Sequence, residues 1–181
     1  ASEPIVGWRT WAIDIDGDTG LPALSSPIAV GDWPGAVKEA VCPRWHGYTA
    51  EIPAPDCVCG IYAHLDESQM FHNKWALVAC GPVELFGKVL EGTSGYRASR
   101  ARVVGPLTLV PHCHDTGCGP AGAQLLISAG GGRCLVTCED HRPSWGGELR
   151  PLEPAALQKI QARLELRYGG DVVIKHEGAN A

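Results

Sequence analysis

The sequence predicts an α+β, β-dominated fold: a small bent sheet or partial barrel with zinc-ribbon-like loops and one C-terminal amphipathic helix followed by a strand. Three observations predict it. The 181 residues contain Gly 23, Pro 14 and Trp 6, a turn-rich composition that suits strands better than a helical bundle. The longest apolar runs are interrupted by glycines, which inside strands mark bulges or barrel corners. Only one segment, near the C-terminus, has helical periodicity with start and stop signals.

The elements follow in order. In "GWRTWAIDIDGDTGLPALSS", Trp8, Thr10 and Ala12 alternate with Arg9, Trp11 and Ile13, which predicts two strands joined by a turn at 17–20. Asp14, Asp16 and Asp18 invite a calcium reading. Gly17 follows the second acid rather than the third, however, and no bidentate acid stands further on, so an acidic hairpin tip is the reading adopted. "VGDWPGAVKEAV" predicts a short helix over 34–41 with Pro34 in its first turn. Residues 43–60 read as loop, and "GIYAHLDESQMFHN" as a helical turn or two. "WALVACGPVELFGKVLEG" and "YRASRARVVGPLTLVP" are the clearest strands, separated by the turn "GTSG". "AQLLISAGGGRCLVTC" predicts a hairpin with strands over 125–128 and 134–137. In "PLEPAALQKIQARLELRYGG", Leu157, Ile160, Leu164 and Tyr168 form one stripe, Pro154 starts the helix and Gly169 or Gly170 stops it. "DVVIKHE" is a closing strand. Residues 1–110 are expected to form a β-rich core and 111–181 a ribbon-like hairpin plus helix, packed as one unit.

The chain is long enough to bury a core without cross-links. It is 45% hydrophobic and carries a formal charge of -5, which argues against wholesale coating of a phosphate backbone. It has no run of 18 apolar residues to span a membrane, and the N-terminal segment has neither the basic nor the apolar region of a secretory signal. A cytoplasmic location is therefore expected.

Eight cysteines are the informative count, because in such a compartment they point to metal or catalysis rather than disulfides. Downstream, "PHCHDTGCGP" and "CLVTCEDH" supply Cys113 with Cys118 and Cys138 with His141: two knuckles separated by about one hairpin. Thiolate and imidazole match the borderline softness of zinc, and knuckles from a loop and a strand end are how zinc ribbons build a tetrahedral site. Cys134 reads as a buried strand residue; a four-cysteine site, or one or two disulfides in an oxidising compartment, are the alternatives. His112 and His114 compete as ligands or as hydrogen-bond partners of ligands. Upstream, "CPRWHGYTAEIPAPDCVCGIYAH" supplies Cys42, His46, Cys57 and Cys59 as a second site, with His64 competing for the fourth place. An iron–sulfur cluster or a disulfide is the alternative there. Cys80, inside an apolar run, reads as a small buried hydrophobe.

"PDCVCGIYA", followed by "GPVELFGKVLEGTSGYRASRARVVGPLTL", resembles a series found in uncharacterised small proteins of actinobacteria and their phages. That series has a GW-x-x-W-like start, a cysteine pair running into CGIYA, a G-x-V-x-L-[WF]-G-x-V strand and GYRA. The resemblance covers residues 8–109. Such relatives commonly carry a histidine before the Ala-Pro that precedes the cysteine pair. Here that stretch reads "YTAEIPAP", which leaves His46 to substitute or the site to differ. The resemblance implies a small zinc-binding-like protein and offers no reaction.

The expected function is a non-enzymatic module holding two structural zincs and binding a protein partner such as a phage or host regulatory factor. One alternative is a zinc-ribbon nucleic-acid binder using Arg97, Arg100, Arg102 and Lys88. Against it, these arginines also read as the solvated face of a strand, or Arg97 with Tyr96 as a hydrogen-bonded corner. A Cys- or zinc-dependent enzyme is the second alternative. It requires a ligand missing from one quartet, so that water can reach the metal.

Overall fold

In the computed structural model the described residues are 4–16, 18–26, 32–42, 52–70, 77–111, 113, 124–127, 132–141 and 148–175. The first strand, β1 (Ile5–Ile15), forms an antiparallel hairpin with β2 (Pro22–Ser25), in register from Ala12/Ser25 to Ile15/Pro22. The acidic tip is held by its own backbone: Asp16 Oδ1 accepts from the N–H groups of Asp18 and Thr19, at 2.9 and 3.1 Å. These bonds to the charged form hold the Asp16 carboxyl below the usual range. Asp14 pairs with Arg133 at 2.8 Å. Two of the three acids of the calcium-like pattern thus have other partners.

The helix expected over 34–41 is replaced by two short strands, β3 (Asp32–Trp33) and β4 (Val37–Glu39). Tertiary pairing overrides local preference here. β3 adds to β2, burying Trp33, while β4 adds to the long strand β7 (Gly95–Val103). An extended chain lets Ala36 O accept from Val103 N–H and Ala40 N–H donate to Ser99 O, at 2.9 and 2.8 Å. The segment has no apolar stripe that a helix could bury in exchange. The helical turns expected after residue 60 shrink to a single 3-10 turn, Glu67–Gln69, capped by the Asp66 side chain. They are preceded by strand β5 (Ile61–His64).

The dominant hairpin is β6 (Val78–Gly92) with β7 (Gly95–Val103). β6 continues through both of its punctuation points. At Gly81-Pro82 its neighbour on one side changes from β8 (Leu107–Val110) to β7, while β1 stays on the other side. At Gly87 the φ of +76° and a register shift between Phe86 and Val89 mark a bulge. A Cβ at Gly87 would lie 2.2 Å from Ser99 Oγ, so both conformation and space require glycine. The nine strands of this sheet run β12-β8-β6-β7-β5-β1-β2-β3, with β4 also on β7 and β6 also on β1. Here β12 is Val172–Ile174, parallel to β8. The sheet curls until β5 meets β1 at one residue pair, Trp8/His64. It is a bent sheet and not a closed barrel.

A second, three-stranded sheet has the order β10-β9-β11, from β9 (Gln124–Ile127), β10 (Cys134–Thr137) and β11 (Glu148–Pro151). The expected hairpin is its β9/β10 half; β11 had no clear sequence signal. Backbone bonds from Ile15 N to Gly132 O and from Leu77 N to Cys134 O, both 2.6 Å, tie this sheet to the large one. The helix α1 (Pro154–Tyr168) buries the predicted stripe of Leu157, Ile160, Leu164 and Tyr168, and ends at Gly169 in the left-handed conformation. The Tyr168 hydroxyl donates to Trp33 O at 2.7 Å and accepts from Leu24 N–H at 2.8 Å, fixing the helix over β2 and β3. One core joins Trp11, Ile13, Leu24, Trp33, Val83, Leu85, Cys134, Val136 and the helix stripe.

Candidate metal centres

The upstream centre forms where two strands meet end to end on one edge of β7. β4 pairs with Arg100, Ala101 and Arg102, and β5 begins opposite Ala98. The chain leaving β4 carries Cys42, and the chain entering β5 carries Cys57 and Cys59. All three thiols therefore converge beside the same stretch of β7, their Sγ atoms within 4.8 Å of one another. The Cys42–Cys57 separation is 3.7 Å. A tetrahedral zinc with bonds of about 2.3 Å has ligand edges of roughly 3.8 Å, so this pair already stands at metal-bound spacing.

The loop is fixed from outside by Arg97 on β7. Its Nη1 donates to the Cys57 carbonyl, and lies 3.4 Å from both Cys59 O and Ala54 O. The Ala54 N–H donates to Cys59 Sγ at 3.4 Å, a bond that orients a thiolate. Tyr62 adds a hydroxyl bond to Val58 O at 2.8 Å and a ring 5.9 Å from the Arg97 guanidinium. Gly60 follows the last ligand with φ +118°, and a Cβ there would come within 3.0 Å of Pro53. Burial pushes the Cys57 thiol up, and the neighbouring Cys59 and Cys42 thiols push it further, against a lowering backbone bond from Cys59. A bound cation reverses that balance, because coordination deprotonates the thiol.

The downstream centre draws on both sheets. Cys113 follows the end of β8, while Cys138 and His141 follow β10 across a 3-10 turn, Glu139–His141. The three ligand atoms lie within 4.8 Å of one another. His141 Nδ1 is 3.0 Å from Cys138 Sγ and 3.9 Å from Cys113 Sγ. The buried Thr137 hydroxyl lies 2.9 Å from His141 O and 3.1 Å from Cys138 O, holding the turn that presents both ligands.

The proposed fourth ligands, Cys118 and His46, lie outside the described residues, as do the competitors His112 and His114. The other competitors are described, and none belongs to either group of ligand atoms. Cys134 is fully buried in the main core, and burial, with the Asp14 charge, pushes its thiol up to about 12. The strand ends at Thr137, so Cys138 lies just beyond it. Cys80 packs on the outer face of the sheet with Ala12, Val78 and Val110, and burial raises its pKa too. His64 pairs with Trp8 and Gly95 through β5. Cys57, Cys59, Cys80, Cys113 and Cys134 are free thiols.

The sequence had offered Arg97 as a structural corner, but not as the clamp of the metal loop. Its signal lay in strand pairing, which places residue 97 opposite Tyr62. No protein-family model, curated protein or solved structure matches the chain.

Proposed function

We propose that the chain is a zinc-binding interaction module with two structural metal sites. Cys113, Cys118, Cys138 and His141 hold one zinc, and Cys42, His46, Cys57 and Cys59 the other. The observation that carries this reading is the presence of two separate groups, each bringing three candidate ligand atoms within 4.8 Å of one another. The donor sets favour zinc: thiolate with imidazole at one site, three thiolates at the other. Zinc would neutralise and lock loops that few apolar contacts order. With four protein ligands it leaves no position for an activated water, so the reading is non-enzymatic.

A protein partner is favoured by what surrounds the upstream centre. Val41 and Val58, beside the ligand cysteines, are 79% and 58% exposed, and Tyr62 on the same corner is 47% exposed. Apolar side chains displayed on a rigid metal loop suit a docking surface. The nucleic-acid alternative loses its main residues to internal contacts. Arg97 binds loop carbonyls, Arg102 is paired with Glu84, and Arg100 lies over Phe86. Among the described residues no helix is long and apolar enough to cross a membrane. A cytoplasmic, phage- or host-regulatory role is part of the proposal, resting on the sequence resemblance.

Elemental analysis of the purified chain tests the metal reading. Two zincs per chain are expected, falling to one in Cys57→Ser and to one in Cys138→Ser. A chain without metal, its thiols oxidised, would replace the model with disulfides.

A further inference from the structure

The interior of the curled sheet holds a polar group that the metal centres do not use. Side chains alternate along β1, so Arg9, Trp11 and Ile13 share a face, the one on which Trp11 and Ile13 are fully buried. The Arg9 guanidinium lies 5.4 Å from the centre of the Trp33 ring. Trp33 in turn meets Trp11 edge-on, with centroids 5.4 Å apart and planes at 89°. Arg9 Nη1 donates to the Tyr62 carbonyl, reaching across the gap that opens where β5 and β1 part after their single pair. Arg9 Nε, Trp11 Nε1 and Trp33 Nε1 are all buried, and none has an acceptor.

Buried donors are almost always partnered, and buried cations are paired. Here three donors in one contact group lack acceptors, and one of them belongs to a cation with no carboxylate partner among the described residues. Close packing around the guanidinium pulls its pKa down to about 10, a sign of how little compensates its charge. Space filling and closure of the seam explain the bond to Tyr62, but leave the other three donors without a reason. Guanidinium and indole N–H groups cannot accept, so they cannot satisfy one another. The complement they lack is a group made only of acceptors and carrying negative charge.

We propose that Arg9, Trp11 and Trp33 form a binding site for a monocarboxylate. A single cation neutralises a single charge, whereas the second charge of a phosphate would stay uncompensated in apolar surroundings. The two coplanar oxygens of a carboxylate match the edge of a guanidinium. Each indole brings an N–H donor without an acceptor, and the rings bring apolar surface. Arg9 keeps part of its surface in contact with water, the one side from which a ligand could approach it. This site is independent of the metal reading and stands or falls separately.

The test follows the indole N–H signals of the six tryptophans by nuclear magnetic resonance on the full chain with its metal content as isolated. Sodium acetate and sodium benzoate are added at constant ionic strength, with chloride and phosphate as separate arms. Either carboxylate is expected to shift the Trp33 signal, assigned by its loss in Trp33→Phe, along a saturable curve. Chloride is expected to leave it in place. Arg9→Lys, which keeps the charge but loses the planar fork, should weaken binding about tenfold, and Arg9→Gln should abolish it. If Arg9→Gln does not fold, the wild-type titration and Arg9→Lys decide. The proposal is overturned by a Trp33 signal that neither carboxylate moves, by shifts unchanged in Arg9→Lys, or by saturation with phosphate alone.

Discussion

The two candidate metal centres use similar chemistry on opposite kinds of scaffold. Upstream, every described candidate ligand flanks a strand paired to β7: Cys42 follows β4, and Cys57 and Cys59 lead into β5. Arg97, from the same strand, clamps the loop carbonyls. A metal there staples one corner that hydrogen bonds have largely arranged. Downstream, Cys113 follows β8 of the large sheet, and Cys138 and His141 follow β10 of the small one. A metal there bolts two sheets whose other described ties include two short backbone bonds and the Asp14–Arg133 ion pair. The same ion would fix local geometry at one site and the relation between sheets at the other.

Metal loss should therefore be unequal in its effect. Cys138→Ser is expected to lower stability by several kcal/mol, read as a fall in Tm of roughly 10 °C or more. Cys57→Ser should cost less than half as much, because β4 and β5 keep their pairing with β7. Calorimetry of both variants, alongside their metal content, checks the order. Equal losses would erase the distinction between staple and bolt.

A smaller effect isolates the upstream clamp. Arg97→Ala removes the donor shared by the carbonyls of Cys57, Cys59 and Ala54, and should cost about 1–3 kcal/mol for the bonds lost. It should also speed zinc transfer to a chromophoric chelator from the upstream site alone, giving biphasic release in which only one phase changes. Acceleration of both phases would mean that the centres are coupled through the fold rather than built separately.

How far these features were legible in the sequence depended on whether their cause was local. The β1/β2 hairpin, the bulge at Gly87 and the helix stripe from Leu157 to Tyr168 all rest on period, turn chemistry or a single glycine, and each stands as read. The segment 34–41 misled because Pro34 and Asp32 mimic a helix start, while the edge of β7 that claims Val37–Glu39 is some sixty residues away. The candidate ligands Cys42, Cys57, Cys59, Cys113 and Cys138, with His141, could be grouped by spacing alone. What spacing could not reveal was that one group sits on one strand's edge and the other spans two sheets. Arg9 illustrates the same limit: alternation placed it on the face of Trp11, but only the curl of the sheet brings Trp33 over it.

The smallest expected effect is also the sharpest on ligand identity. Cys134 lies four positions before a ligand and is a thiol like the others, yet it is sealed in the core with its pKa pushed up to about 12. In the folded chain it should resist alkylation both with metal and after chelation, whereas Cys57 and Cys138 should become reactive once metal is removed. Cys134→Ala deletes one buried sulfur and should cost about 1 kcal/mol, with two zincs retained. Mass mapping of alkylated cysteines and metal content of the variant measure the two halves of this expectation. Loss of one zinc from Cys134→Ala would move Cys134 into the downstream coordination sphere. The bolt between sheets would then be anchored inside β10 rather than at its end, and the larger stability loss predicted for Cys138→Ser should be shared by Cys134→Ala.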